Sequence, residues 1–112
     1  MEGAWIDSRR DALRAAHLRA LDCLAEVHEW NGERALALRA AQEAVEVEPY
    51  RESGYRLLME LHERAGNPAE SLRTFERLSD VIRRELHIVP GAETRALRDR
   101  IMASTASRSE TG

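Results

Sequence analysis

Residues 24–47 read LAEVHEWNGERALALRAAQEAVEV, and residues 58–81 read LMELHERAGNPAESLRTFERLSDV. The second stretch is the first displaced by 34 positions. Leu24 falls on Leu58, Glu26 on Glu60, His28 on His62, Glu29 on Glu63 and Gly32 on Gly66, and Ala35, Leu38, Arg39 and Val47 fall on Ala69, Leu72, Arg73 and Val81. Nine identities are well above what this composition gives by chance, so the chain contains one unit twice. In each copy apolar residues at helical spacing flank a glycine, the pattern of two helices joined by a tight turn.

Thirty-four residues is the length of a tetratricopeptide repeat, in which small residues let antiparallel helices approach and large ones fill the remaining space. The first copy supplies Leu21, Leu24, Ala25 and His28, then Ala37, Ala41 and Pro49. The second supplies Tyr55, Leu58, Met59 and His62, then Ser71 and Phe75, with no proline. Ala41 and Met59 depart from the repeat consensus. The expected fold is all-α: a tetratricopeptide-like, right-handed stack of two helical hairpins with a C-terminal capping helix, since one hairpin alone leaves apolar surface uncovered.

Working outward, the periodicity predicts a first helix over 8–30, ended by Asn31-Gly32, and a second over 33–47, closed by Pro49. A third runs over 51–65 and a fourth from Pro68 to about His87, separated by Gly66-Asn67-Pro68, where Pro68 suits a first helical position. Val89-Pro90-Gly91 breaks the helix, because the residue before proline is pushed out of helical geometry. A fifth helix over 93–102 follows. MEGAWI at the start is too short for an element of its own, with Trp5 and Ile6 docking as a staple. The organisation is one domain over 1–103 and a small, polar, disordered tail over 104–112.

The chain has 112 residues, 43% hydrophobic and 33% charged, enough for one core and too apolar for wholesale disorder. Alanine and leucine dominate, while β-branched and aromatic residues are few, which favours helices. A net charge of -3 argues against direct nucleic-acid binding by this segment. All 17 basic residues are arginine, pointing to GC-rich coding. One cysteine, Cys23, cannot form an internal disulfide, and no apolar run reads as a signal or membrane span, so the expected location is the cytoplasm.

No constellation of residues points to catalysis, a cofactor or a metal. His28-Glu29 and His62-Glu63 do not complete HExxH, and each histidine occupies a position that the repeat fills with a large ring, so both read as partly buried structural histidines. Cys23 lacks a histidine partner to activate it. The glycines terminate helices and build no phosphate cradle. The candidate site is instead a partner-binding groove on the first helix of each hairpin: Arg19, Asp22, Glu26, Glu29 and Trp30 from one, and Arg56, Glu60, Glu63 and Arg64 from the other. Trp30 is its anchor if exposed, and packs on the hairpin turn otherwise.

From Trp5 to Met102 the chain resembles the bacterial transcriptional activator domain of the Streptomyces antibiotic regulatory protein family and related actinobacterial regulators. Three stretches carry the resemblance. They are Leu18-Arg19-Ala20-Leu21 with Leu24-Ala25-Glu26, then Pro49-Tyr50-Arg51-Glu52 with Leu57-Leu58-Met59, and most specifically Arg84-Glu85-Leu86-His87-Ile88-Val89-Pro90-Gly91-Ala92-Glu93-Thr94-Arg95-Ala96-Leu97. His87 stands where that pattern usually has glycine. The resemblance implies a non-catalytic module that follows a winged-helix DNA-binding domain and mediates self-association or contact with the transcription machinery. Neither the winged helix nor the helical hairpin that usually precedes the Trp5 region is read in this sequence, so the chain looks like part of a larger regulator or a shortened relative. The first helix is then expected to expose apolar surface and to support a homodimer. A general tetratricopeptide adaptor that captures a peptide terminus is the alternative. It would need a basic groove, whereas the one inferred leans acidic. A small hydrolase or metal protein is the third, and no convergent ligand set supports it.

Overall fold

The structure, a computed structural model, describes residues 2–111, with side chains from 7 to 108. Five helices follow one another: α1 (Glu2–Trp30), α2 (Arg34–Val47), α3 (Glu52–Arg64), α4 (Pro68–Leu86) and α5 (Ala92–Thr111). There is no strand among the described residues. The helices form two compact units, residues 1–48 and residues 49–112.

In the first unit α1 and α2 pack through alanines. Ala25, Ala37 and Ala41 are wholly buried, and Leu18 and Leu21 of α1 cluster with Ala44, with Val47 packed against them. Such small side chains let two backbones approach closely at native packing density. Helix α1 begins at Glu2, six residues before the expected start at Ser8. No proline interrupts the stretch, and its one glycine, Gly3, lies in the first turn, where the helix cost of glycine is least felt. The expected docking of Trp5 and Ile6 falls outside the described side chains.

The second unit holds α3, α4 and α5. Met59, Phe75, Leu97 and Ile101 form its core cluster, with Leu72 against it. Where α3 meets α4, the buried Ser71 hydroxyl donates to the Met59 carbonyl at 2.5 Å. A serine there keeps the helices close and satisfies its own polar atom. Arg98 of α5 lies over the Phe75 ring, 4.6 Å from its centre, adding a cation–π contact to the apolar seam. Helix α5 runs to Thr111, which corrects the expectations of an end near Met102 and a disordered tail from Ser104. The tail has no helix breaker before Gly112, and the Thr105 hydroxyl satisfies itself on the Ile101 carbonyl at 2.8 Å.

The 34-residue period reappears in the backbone. After α1, the Gly32 amide donates to the Glu29 carbonyl at 3.1 Å and the Glu33 amide to the His28 carbonyl at 2.8 Å. After α3, Gly66 donates to Glu63 at 3.0 Å and Asn67 to His62 at 2.9 Å, the same pair of bonds displaced by 34. The bonds Asn31 to Val27 and Ala37 to Glu33 also recur, as Ala65 to Leu61 and Ser71 to Asn67. Both turns are Schellman motifs, and both need a residue at positive φ: Gly32 at 77° and Gly66 at 82°. The repeated glycine therefore has a geometric cause.

Candidate partner-binding surface and the α5 clamp

Two of the family-like stretches, 42 residues apart in the chain, meet in space. The Glu52 carboxylate, in the first turn of α3, accepts a hydrogen bond from the Gly91 amide at 2.9 Å through Oε1. The same oxygen accepts the Thr94 hydroxyl at 2.8 Å. Gly91 immediately precedes α5, so its amide and those after it are donors with no partner inside the helix, and the carboxylate of Glu52 serves as a cap supplied by another helix. Thr94 is fully buried. Its oxygen accepts the Arg56 guanidinium at 2.9 Å, and Arg56 also lies 3.6 Å from Glu93. Glu52, Thr94, Arg56 and Glu93 form one connected network that fastens the start of α5 to α3. One helical turn beyond Leu97, Arg100 of α5 makes two hydrogen bonds to the Glu63 carboxylate, at 3.1 and 3.0 Å, a bidentate pair fixed in geometry as well as charge.

This network corrects half of the expected groove. On α3, Arg56 and Glu63 are half-buried partners of α5, and Glu60 pairs with Arg64 at 3.5 Å one turn along the same helix. Residues at a four-residue helical spacing do share a face, but a fifth helix had no visible claim on that face in the sequence. On α1, Arg19 and Glu26 are exposed and Asp22 and Glu29 half-buried, along one stripe of the helix. Trp30 ends that stripe with 90% of its surface exposed. It does not fold back on the turn, and it stands as the open aromatic anchor of the surface. Sequence reasoning missed Glu52, Thr94 and Arg100 as clamp residues. The signal was the co-occurrence of the stretches around Glu52 and Thr94.

The two histidines differ. His28 is partly exposed, with Nδ1 3.1 Å from the Glu33 carboxylate at the first turn. His62, its repeat counterpart, is buried, and its Nδ1 has no hydrogen-bond partner. Burial lowers the His62 pKa below the ordinary 6.5, with nearby Glu70 opposing and Arg77 reinforcing that shift. Burial likewise raises the Tyr55 pKa above 10.0, against the pull of Arg77. Among the described residues no group of three or more His, Cys, Asp or Glu could hold a metal ion, and no helix is long and apolar enough to cross a membrane.

Two helical hairpins closed by the same turn 34 residues apart, followed by a clamped fifth helix, define a tetratricopeptide-like all-α protein. Within that class, residues 1–102 match the family model of the bacterial transcriptional activator domain, and the chain belongs to that family. Searches of curated proteins and of solved structures gave no match. The family is a regulatory, non-enzymatic one, which makes the chain a domain of a transcriptional regulator.

Proposed function

We propose that this chain is a non-catalytic protein-interaction and oligomerisation module of a cytoplasmic transcriptional regulator of the Streptomyces antibiotic regulatory protein type, from an actinobacterium. Its partners are a second copy of the regulator or the transcription machinery. This segment works without touching nucleic acid, holding no cofactor. The single observation that carries the reading is the family match over 1–102. It is supported by the exposed Trp30 and by a net charge of -3, which repels phosphates. The surface for a partner is the α1 stripe of Arg19, Asp22, Glu26, Glu29 and Trp30. The general peptide-adaptor reading is weakened, because Arg56 is the α3 cation best placed to clamp a carboxylate and it is already bound to Thr94 and Glu93.

The test tethers the chain to a heterologous DNA-binding domain upstream of a bacterial reporter. Transcription rises above that of the DNA-binding domain alone, and Trp30→Ala reduces the rise while leaving the helical circular dichroism intact. Reporter output equal to that of the bare DNA-binding domain, from a folded fusion, overturns the reading.

A further inference from the structure

Helix α1 has two apolar sides, and α2 covers one. Leu18, Leu21 and Ala25 are buried on that side, whereas Leu13, Ala16, Ala20, Leu24 and Val27 recur at intervals of three, four, four and three residues on the other. All five are exposed, Leu13 to 63%, Leu24 to 47% and Val27 to 48%. The repeat counterpart of Leu24, Leu58, is fully buried. A stripe at this spacing is the seam of a helix pair, and exposed apolar stripes of this kind mark interaction surfaces.

We propose that two copies of this chain pair antiparallel through this face of α1, about a two-fold axis at Ala20. The proposal rests on the reading of the chain as an oligomerisation module and names the face and the geometry. Charge complementarity selects the occupant. Residues 7–20 contain Arg9, Arg10, Arg14 and Arg19 against Asp7 and Asp11, while residues 21–30 contain Asp22, Glu26 and Glu29 with no lysine or arginine. A parallel pair sets arginine-rich half against arginine-rich half. An antiparallel pair sets each basic half on the partner's acidic half and also opposes the helix dipoles. Size complementarity agrees: Leu13 stands opposite Val27 of the partner subunit, Leu24 opposite the partner's Ala16, and Ala20 at the axis lets the backbones close. The seam spans about 20 Å of helix, so it buries less than the roughly 1,200 Å² typical of a stable interface and the dimer is weak and reversible.

Sedimentation equilibrium of the chain from micromolar to millimolar concentration is expected to show the mass rising from 12.7 kDa toward twice that value. Leu24→Glu, with helical circular dichroism unchanged, stays at 12.7 kDa throughout. Orientation is read by cross-linking in a Cys23→Ser background. Leu13→Cys and Val27→Cys chains oxidised separately stay uncross-linked, because their own thiols lie about 21 Å apart along the antiparallel seam. Mixed, they give a reducible heterodimer. Disulfides in the separate samples overturn the antiparallel geometry. A mass of 12.7 kDa at every concentration overturns the pairing itself, and if that monomer still activates the tethered reporter, the regulatory reading survives without it.

Discussion

Glu52 is the residue through which α3 holds α5, and its removal has a calculable cost. Glu52→Ala deletes the acceptor for the Gly91 amide at 2.9 Å and for the Thr94 hydroxyl at 2.8 Å. Hydrogen bonds to a charged group contribute about 1.5–3 kcal/mol each, and these lie at a half-buried carboxylate, so the low end applies. The expected loss is about 3 kcal/mol in all. Thr94→Val keeps the volume and removes the hydroxyl, leaving Arg56 with Glu93 alone, at about 1–2 kcal/mol. Because one oxygen of Glu52 serves both donors and Thr94 bridges Glu52 to Arg56, the two substitutions remove a shared contact. The double variant is therefore less destabilised than the sum, by about 1 kcal/mol. The assay is urea unfolding followed by far-ultraviolet circular dichroism on wild type, both single variants and the double. Strict additivity, with a coupling within about 0.3 kcal/mol of zero, refutes the clamp.

His87 closes α4 in the left-handed region at φ 58°, where side chains are strained and glycine is not. His87→Gly is expected to stabilise the chain by about 0.5–1 kcal/mol in the same urea assay, despite the added entropy of the unfolded state. Ile101→Ala, at a wholly buried core position beside Met59, Phe75 and Leu97, costs about 2–5 kcal/mol. The folded-state pKa of His62 lies below its unfolded value near 6.5, so the unfolded chain takes up the proton first. Its contribution to stability is whole above that value and declines as pH falls from 6.5 toward the folded pKa, and His62→Gln makes this acid limb shallower.

Helix order, the two hairpin turns and the glycines that close them were legible, because they depend on local periodicity and on the one residue type suited to positive φ. Helix ends were less so. Residues 2–7 and 104–111 contain no strong stop, so their helicity is decided by continuity with a packed helix and not by propensity. The groove was legible only in part. Arg56 and Glu63 share a face of α3, as their spacing says, but whether that face meets solvent or α5 depends on pairings 37 and 38 residues away in sequence. The clamp itself was hidden for the same reason: Glu52 and Thr94 read separately as a helix start and a polar residue after a proline break. Leu24 and Leu58 are identical by repeat and opposite in burial, a difference that periodicity alone does not encode.

The claim on which the account stands is that the chain folds one helical hairpin twice, closing each with the same turn. Amide hydrogen exchange resolved by residue measures this directly at Glu33 and Asn67, whose amides donate to the His28 and His62 carbonyls. Protection of both amides, lost together in Gly32→Val at the first turn and in Gly66→Val at the second, is the expected result. Exchange at unfolded-chain rates at either turn, in an otherwise helical protein, contradicts it.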